Sequence, residues 1–230
     1  MFEFRSDRYQ VVPARRFAAG GEGGAWGPHL NSNTCSTHAR CEGAKRVWKI
    51  TDMASKVIFL DRDGVLNVDH GYVHKIEDWE FCAGAIEAIR ALREAGYFIA
   101  VVTNQSGVAR GMFSLEDLHR LYEFVQQQLR QAGAAVDAIV YCPHAPEDNC
   151  PCRKPRTGMA QQIEKTIGDS IDYSESWMVG DKLSDIEFGL RLGTRTALIQ
   201  SRYWREGELL HPPDITIISL WDAARQILDG

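Results

Sequence analysis

Short apolar stretches alternate with amphipathic segments from Lys56 onward, and this alternation is the strongest constraint on the fold of the chain. Six stretches have the length and apolar character of buried strands, at 57–60, 98–102, 138–141, 176–179, 196–199 and 214–218. Helical segments lie between or after them, at 83–95, 114–132, 157–167, 183–192 and 219–228. Continuously apolar strands are typical of parallel sheets that helices cover on both faces. The pattern therefore predicts an α/β fold with a doubly wound, mostly parallel sheet.

Polar residues and glycines at the ends of the helical segments support these boundaries. Ser114 is followed three residues later by Asp117, which is the arrangement of a capped helix start. Gly96 and Gly133 stand where a helix end favours a left-handed backbone. The predicted helices therefore have recognisable start and stop signals.

The N-terminal part of the chain has a different character. Residues 1–52 hold six of the 20 glycines and lack a sustained apolar period, which is typical of disordered segments. We expect residues 1–52 to be a disordered extension and residues 53–230 to form a single domain. Met53 leads directly into the first strand, so we hypothesise that it is the physiological start.

The charge and hydropathy of the whole chain argue against several classes of protein. Its net charge of −5 is unfavourable for nucleic-acid binding through the whole surface. The chain contains no apolar run of roughly 18 residues, which a membrane-spanning helix requires. The N-terminus has scattered charges and lacks the apolar core of a signal peptide. We therefore expect a cytoplasmic protein with no nucleic-acid or membrane partner. Because the sequence shows no surplus apolar patch, we also expect a monomer.

Two aspartates stand at the end of the first predicted strand. Asp61 and Asp63 are separated by one residue, and charge at the end of a buried strand is costly unless a cation is bound there. At this spacing one carboxylate can attack phosphorus while the other protonates the departing oxygen and then activates water. Gly64 permits a sharp turn beneath a phosphate. An ordinary solvated turn is the alternative that this motif alone leaves open.

Further polar groups follow three other predicted strands. Residues 103–106 offer hydroxyl and amide donors, Asp181 and Asp185 add carboxylates, and Arg153 and Lys154 add cations. Ligands of such sheets bind at the carboxyl ends of the strands. Acids for Mg²⁺, a hydroxyl donor and a lysine are what phosphoryl transfer requires. The whole set therefore predicts a magnesium-dependent phosphoryl-transfer site.

Four metal-ligand residues lie within 11 positions after the third strand, namely Cys142, His144, Cys150 and Cys152. Three thiolates and one imidazole form the kind of set that Zn²⁺ takes at a closed structural site, with no position open for water. Prolines among them indicate a loop rather than a core segment. Buried thiols or disulfides are the alternative. We predict a zinc-binding loop whose metal is structural.

These motifs resemble those of the haloacid-dehalogenase-like phosphatases, over roughly residues 56–204. The four motifs of that family match Asp61-x-Asp63-Gly64, Thr103, Lys154 and Gly180-Asp181. The resemblance implies a Rossmann-like core. The short segments between the motifs leave no room for a separate cap domain, so we expect a capless haloacid dehalogenase core that carries the zinc-binding loop.

The resemblance also implies a role for each matching residue. Asp61 is the expected nucleophile that forms an aspartyl-phosphate, and Asp63 the general acid and then base. Thr103 and Lys154 are expected to steady the transferring phosphoryl group. The expected ligands are Asp61, the Asp63 carbonyl and Asp181 for Mg²⁺, and Cys142, His144, Cys150 and Cys152 for Zn²⁺. The expected substrate contacts are Asp69, His70, Gly71, Tyr72, Thr103, Asn104, Gln105, Ser106, Arg153, Lys154 and Lys182.

Longer matching segments narrow the expected substrate. Residues 59–74 and 101–111 resemble the phosphatases of heptose bisphosphate, and residues 69–73 look like the sugar-contacting loop of that family. The resemblance implies removal of the C7 phosphate from a small phosphorylated sugar, with Arg153 reaching the second phosphate, on the route to ADP-heptose and the lipopolysaccharide core. Two alternatives stay open: a histidinol-phosphate phosphatase, and a non-catalytic protein that binds a partner through the zinc loop.

Overall fold

The structure, a computed structural model, describes residues 12–13, 54–201 and 211–230. The strands in these residues are β1 Val12–Pro13, β2 Val57–Leu60, β3 Phe98–Asn104, β4 Ala138–Cys142, β5 Trp177–Gly180, β6 Arg195–Ile199 and β7 Ile215–Ile217. The α-helices are α1 Ala85–Glu94, α2 Leu115–Gln131, α3 Gly158–Ile167, α4 Leu183–Leu192 and α5 Leu220–Asp229. Each of the six predicted strands and five predicted helices is confirmed, with ends that differ by at most two residues.

The strands form one sheet in the order β1-β4-β3-β2-β5-β6-β7. β1 is antiparallel to β4, and the other neighbouring strands are parallel. Strand order therefore reverses at β2, because the chain builds outward through β3 and β4 and then returns to the other side of β2 as β5. This is the predicted doubly wound sheet, and the reversal opens a crevice at the carboxyl end of β2.

The central strand is buried on both faces. Ile58 and Leu60 pack into one hydrophobic cluster with the buried faces of α1, α2 and α5. Val57 and Phe59 pack into a second cluster with α3 and α4 on the opposite face. Burial on both sides explains why β2 is a continuous apolar run and does not alternate with polar residues.

The helix signals act as predicted. The Ser114 hydroxyl accepts from the N–H of Asp117 at 3.1 Å, and the Asp117 carboxylate accepts from the N–H of Ser114 at 3.0 Å. Gly96 and Gly133 follow α1 and α2 with φ of +89° and +70°. These caps pair backbone groups that the helix ends leave without intrahelical partners.

No separate cap domain is inserted between residues 54 and 201. One 3-10 helix (Ile76–Asp78) and α1 separate β2 from β3, and the segment from β3 to α3 holds α2, β4 and a loop with a second short 3-10 helix. The described helices are all too short or too polar to cross a membrane. Apart from Val12–Pro13, the predicted disordered extension 1–52 and the proposed start at Met53 lie outside the described residues.

Candidate active site

Asp61, the first residue after β2, is at the centre of the site. Its N–H donates to the carbonyl of Val179 in β5 at 2.9 Å, which fixes the residue at the carboxyl end of the central strands. The Lys154 ammonium lies 2.8 Å from Oδ1, and the Lys182 ammonium lies 3.5 Å from Oδ2. Burial opposes the charge, but these two cations outweigh it and hold the pKa of Asp61 below its usual range. Asp61 is therefore a buried carboxylate that stays ionised.

Lys154 is a buried cation with three acceptors around its ammonium. Besides Asp61, Nζ lies 2.7 Å from Oδ1 of Asp185 and donates to the carbonyl of Val102 at 2.7 Å. Burial opposes the ammonium charge, but Asp185 and Asp61 raise the pKa of Lys154 above its ordinary value. The lysine therefore remains positively charged beside the nucleophile that the sequence predicts.

Asp61, Asp181 and Asp185 form a buried acidic cluster. One oxygen from each carboxylate lies within 4.8 Å of the others. Burial, together with the charge of Asp61, raises the pKa of Asp181 to about 7 against the opposing effect of Lys182. The Lys182 ammonium also lies 2.9 Å from Asp181 and 3.3 Å from the carbonyl of Asp63. Three oxygen ligands with excess negative charge are a set that fits a divalent cation such as Mg²⁺.

Two glycines allow the backbone to approach this cluster. A Cβ on Gly64 would lie 2.4 Å from Oδ2 of Asp181, and one on Gly180 would lie 2.1 Å from Cβ of Asp185. Gly64 also has a φ of +90°, as expected for the turn that the sequence predicts after Asp63. The acidic side chains are therefore packed against bare backbone.

Asp63 points into a hydrogen-bond network that is separate from the acidic cluster. Nε and Nη2 of Arg62 donate to its carboxylate at 3.0 and 2.7 Å. Asn67 donates to Oδ1 at 3.1 Å, and Gln105 donates to Oδ2 at 3.0 Å. Arg62 is itself buried, with a further bond to the carbonyl of Val73 at 2.8 Å. These bonds give the Asp63 carboxylate a fixed position.

The polar residues at the end of β3 are linked to this network and to Lys154. Nε2 of Gln105 also donates to the hydroxyl of Thr103, which is buried, at 2.8 Å. The Asn104 side chain forms two bonds with the backbone of Lys154, at 3.0 and 3.2 Å. Ser106 accepts from the N–H of Arg110 through its carbonyl at 3.1 Å. The structure thus brings Thr103 and Gln105 to the site, while Asn104 holds Lys154.

The predicted sugar-contacting loop lies beside Lys182. Oδ2 of Asp69 is 3.9 Å from the Lys182 ammonium, and Oδ1 accepts from the N–H of Gly71 at 2.9 Å. Tyr72 is exposed and has a φ of +52°, which is unusual for a residue with a side chain. His70 faces Glu80, with 3.4 Å between Nε2 and the carboxylate. Asp69 is therefore at the site, and His70 faces a neighbouring acidic side chain.

The predicted zinc ligands converge after β4. Sγ of Cys150 lies 3.5 Å from Sγ of Cys142 and 3.2 Å from Sγ of Cys152, and Nδ1 of His144 lies 3.3 Å from Cys152 and 3.7 Å from Cys142. Tetrahedral zinc with bonds of about 2.3 Å separates its ligands by about 3.8 Å, so the set fits this metal after a small expansion. A hydrogen bond from Cys152 lowers the pKa of Cys142 to about 5 and raises the pKa of Cys152, so zinc binding would displace the proton of Cys152.

The zinc loop leads directly into the cations of the site. Arg153 donates from Nη1 to the carbonyl of His144 at 3.3 Å, and Arg156 donates to the carbonyl of Cys150 at 2.8 Å. Lys154, one residue after Arg153, reaches Asp61. The side chains of Arg153 and Arg156, which flank Lys154 in the sequence, are therefore hydrogen-bonded to the backbone of the zinc loop.

Comparisons with known proteins agree with this geometry. The family model for the polynucleotide kinase 3 phosphatase matches residues 56–193. A D-glycero-beta-D-manno-heptose-1,7-bisphosphate 7-phosphatase from Haemophilus ducreyi is 45% identical over 154 residues, which cover 64% of this chain and 84% of the relative. The chain belongs to the haloacid dehalogenase-like heptose-bisphosphate phosphatase family.

Solved structures place the fold in the same family. The D,D-heptose 1,7-bisphosphate phosphatase from B. bronchiseptica, crystallised with magnesium and phosphate, has a TM-score of 0.69 and 35% identity. The match covers 76% of this chain and 98% of that one. The corresponding enzyme from Burkholderia thailandensis has a TM-score of 0.58 and 28% identity, with 76% and 100% of the two chains covered.

In this member of the heptose-bisphosphate phosphatase family, the predicted ligand set omits one residue of the acidic cluster. Asp185 is buried, contacts Lys154 and accepts from the N–H of Lys182 at 3.1 Å. Its position four residues after Asp181, in the first turn of α4, places it among the acids that the sequence predicts at the strand ends, but the ligand set implied by the family resemblance leaves it out. The Asp63 carboxylate points toward Arg62, so only its carbonyl faces the region of the predicted ligands.

Proposed function

We propose that this chain hydrolyses the C7 phosphate of D-glycero-β-D-manno-heptose 1,7-bisphosphate. The observation that carries the proposal is the ionised, buried Asp61, which lies between the ammonium groups of Lys154 and Lys182 at the carboxyl end of β2. A buried carboxylate flanked by cations is suited to attack a phosphoryl group, since the same cations can neutralise the phosphoryl oxygens. The named activity of the relatives supplies the substrate.

The reaction that we propose proceeds in two steps. An oxygen of Asp61 forms a bond to phosphorus as the bond to the sugar oxygen breaks, and Asp63 gives that oxygen a proton. Water then attacks the aspartyl-phosphate, Asp63 accepts a proton from it, and Asp61 is regenerated as phosphate leaves. Thr103 and Lys154 hold the phosphoryl oxygens throughout. Arg62, Asn67 and Gln105 keep the Asp63 carboxylate in place for both proton transfers.

We assign the metals to two separate groups of residues. Asp61, Asp181 and Asp185, with the Asp63 carbonyl, would hold Mg²⁺, which supplies charge neutralisation to the phosphate when bound. Cys142, His144, Cys150 and Cys152 would hold Zn²⁺ in a structural role. Asp69, His70, Gly71, Tyr72, Ser106, Arg153 and Lys182 are the proposed contacts to the rest of the substrate.

The test is a ranking of substrates with the purified full chain and Mg²⁺. We expect phosphate release from the 1,7-bisphosphate to exceed release from histidinol phosphate by at least about 100-fold in kcat/KM. A 3′-phosphorylated oligonucleotide should be a poor substrate, because the net charge of the chain is −5. A preference for either competitor would contradict the proposed substrate.

The same enzyme would act before the formation of ADP-heptose for the lipopolysaccharide core. We place it in the cytoplasm, because its cysteine cluster requires reduced thiols to bind a metal. We propose a monomer, and light scattering of the purified protein is the measurement that checks this.

A further inference from the structure

Two loops meet beside the active site through a pair of aromatic rings. The first, residues 69–73, carries the predicted sugar contacts, and the second, residues 105–112, follows β3 and carries Gln105 and Ser106. The ring of His74 stacks on the ring of Phe113 with centroids 4.8 Å apart and an interplanar angle of 9°. We name this pair the aromatic clamp.

His74 also fixes the backbone of the first loop. Its Nδ1 lies 2.7 Å from the carbonyl of Tyr72, and because a carbonyl can only accept, the ring must donate. Tyr72 has a φ of +52°, a conformation that costs free energy for a residue with a side chain. The hydrogen bond from His74 therefore helps to hold this residue in a strained conformation.

Phe113 anchors the clamp to the second loop. It is buried, and a Cβ on Gly107 would lie 2.1 Å from its ring, so the ring is pressed against the loop backbone. The carbonyl of Gly107 accepts from the N–H of Met112 at 2.9 Å, which closes the loop around Phe113. Val73, next to His74, is buried and bonds to Arg62 through its carbonyl. Both ends of the clamp thus adjoin buried residues of the fold.

We propose that His74 is a positioning residue for the sugar. The clamp fixes the distance between the loop that carries Asp69 and Tyr72 and the loop that carries Ser106, without contact to the reacting phosphate. This inference rests on the proposed function, because it assigns the two loops to the two sides of one phosphorylated sugar. It predicts that losing the clamp weakens sugar binding and spares phosphoryl transfer.

The test compares KM and kcat of His74→Ala on two substrates. With the heptose 1,7-bisphosphate, we expect KM to rise about tenfold while kcat stays within about twofold. With p-nitrophenyl phosphate, which has no sugar, both constants should stay unchanged. His74→Phe keeps the stacked ring but loses the hydrogen bond to Tyr72, so its KM should lie between the values of His74→Ala and wild type. Lys75→Ala, at the exposed neighbouring position, is the matched control and should match wild type.

A double-mutant cycle tests the coupling of the two rings. Phe113→Leu should raise the same KM, and the effect of His74→Ala should be smaller in its presence, because the clamp is already lost. The proposal is overturned if His74→Ala leaves KM for the bisphosphate unchanged, or if it impairs both substrates equally. A wild-type enzyme that does not prefer the bisphosphate would instead contradict the proposed function, independently of the variants.

Discussion

Gly64 places bare backbone against Asp181, and this contact can be tested at the scale of one residue. Gly64→Ala would put a Cβ 2.4 Å from Oδ2 of Asp181 and so displace the carboxylate. We expect the Mg²⁺ concentration for half-maximal activity to rise at least about tenfold. Gly96→Ala is the matched control, since Gly96 has nearly the same φ, +89° against +90°, and nothing within 4 Å of the added Cβ.

Both alanine variants share the cost of a positive φ, about 1 kcal/mol of unfolding free energy, and Gly64→Ala should lose more because its Cβ also displaces Asp181. Urea unfolding measures this loss, and a magnesium titration of activity measures the effect on the site. An equal magnesium requirement in the two variants would show that the approach to Asp181 has no role in metal binding.

Asp181 also predicts how stability depends on pH without added magnesium. Burial raises its pKa to about 7, so the folded protein keeps a proton that the unfolded chain releases near pH 4. The free energy of unfolding should therefore fall as pH rises from about 4 to 7, by up to about 1 kcal/mol per pH unit. Urea unfolding of wild type and Asp181→Asn at several pH values isolates this contribution. Parallel pH profiles for the two proteins would contradict it.

At the residue scale, spacing along the sequence identified charged groups but not their partners. Asp61, Lys154 and Asp181 were predicted at one edge because parallel strands end there. The pairing of Arg62 with Asp63 was not predicted, since nothing in the spacing indicates that an arginine after a strand turns inward. The His74–Phe113 stack was also not predicted, because the two residues lie in separate segments of the chain and no spacing pattern links them.

At the scale of elements, the zinc loop supports the segment that carries Lys154. We expect Cys150→Ala to release zinc and to lower kcat/KM at least about tenfold, because three ligands hold the metal weakly and the loop loses its anchor. Cys82→Ala is the control, because Cys82 is half-buried against the core and lies outside the cluster. Zinc content by mass spectrometry and kinetics are the measurements. Full zinc occupancy in Cys150→Ala would contradict the assigned ligand set.

Element boundaries were predictable because periodicity and caps agree along this chain. The run from Val57 to Leu60 is buried on both faces, and Ser114 with Asp117 forms the expected cap. The sequence predicted a doubly wound sheet but not the order of the strands within it. The pairing of Val12–Pro13 with β4 was not predicted, since two residues carry no periodic signal.

At the scale of the whole molecule, all proposed site residues lie between Asp61 and Asp185. We therefore expect a variant that starts at Met53 to keep kcat/KM within about twofold of the full chain. Its melting temperature should be a few degrees lower, because β4 loses its pairing with β1 and becomes an edge strand. Loss of activity would show that residues 1–52 belong to the functional enzyme. Mass spectrometry of the native N-terminus tests the start site itself.

The link between Asp61 and Lys154 spans 93 positions of the chain, and the link between Asp63 and Lys182 spans 119. The first pair needs β4 and β3 in place beside β2, and the second needs β5 beside β2. Such distant contacts are made slowly during folding. A partly folded chain therefore has acidic and basic residues but no nucleophile flanked by cations. Recovery of phosphatase activity during refolding would follow assembly of the central sheet, which makes catalysis a late reporter of the native topology.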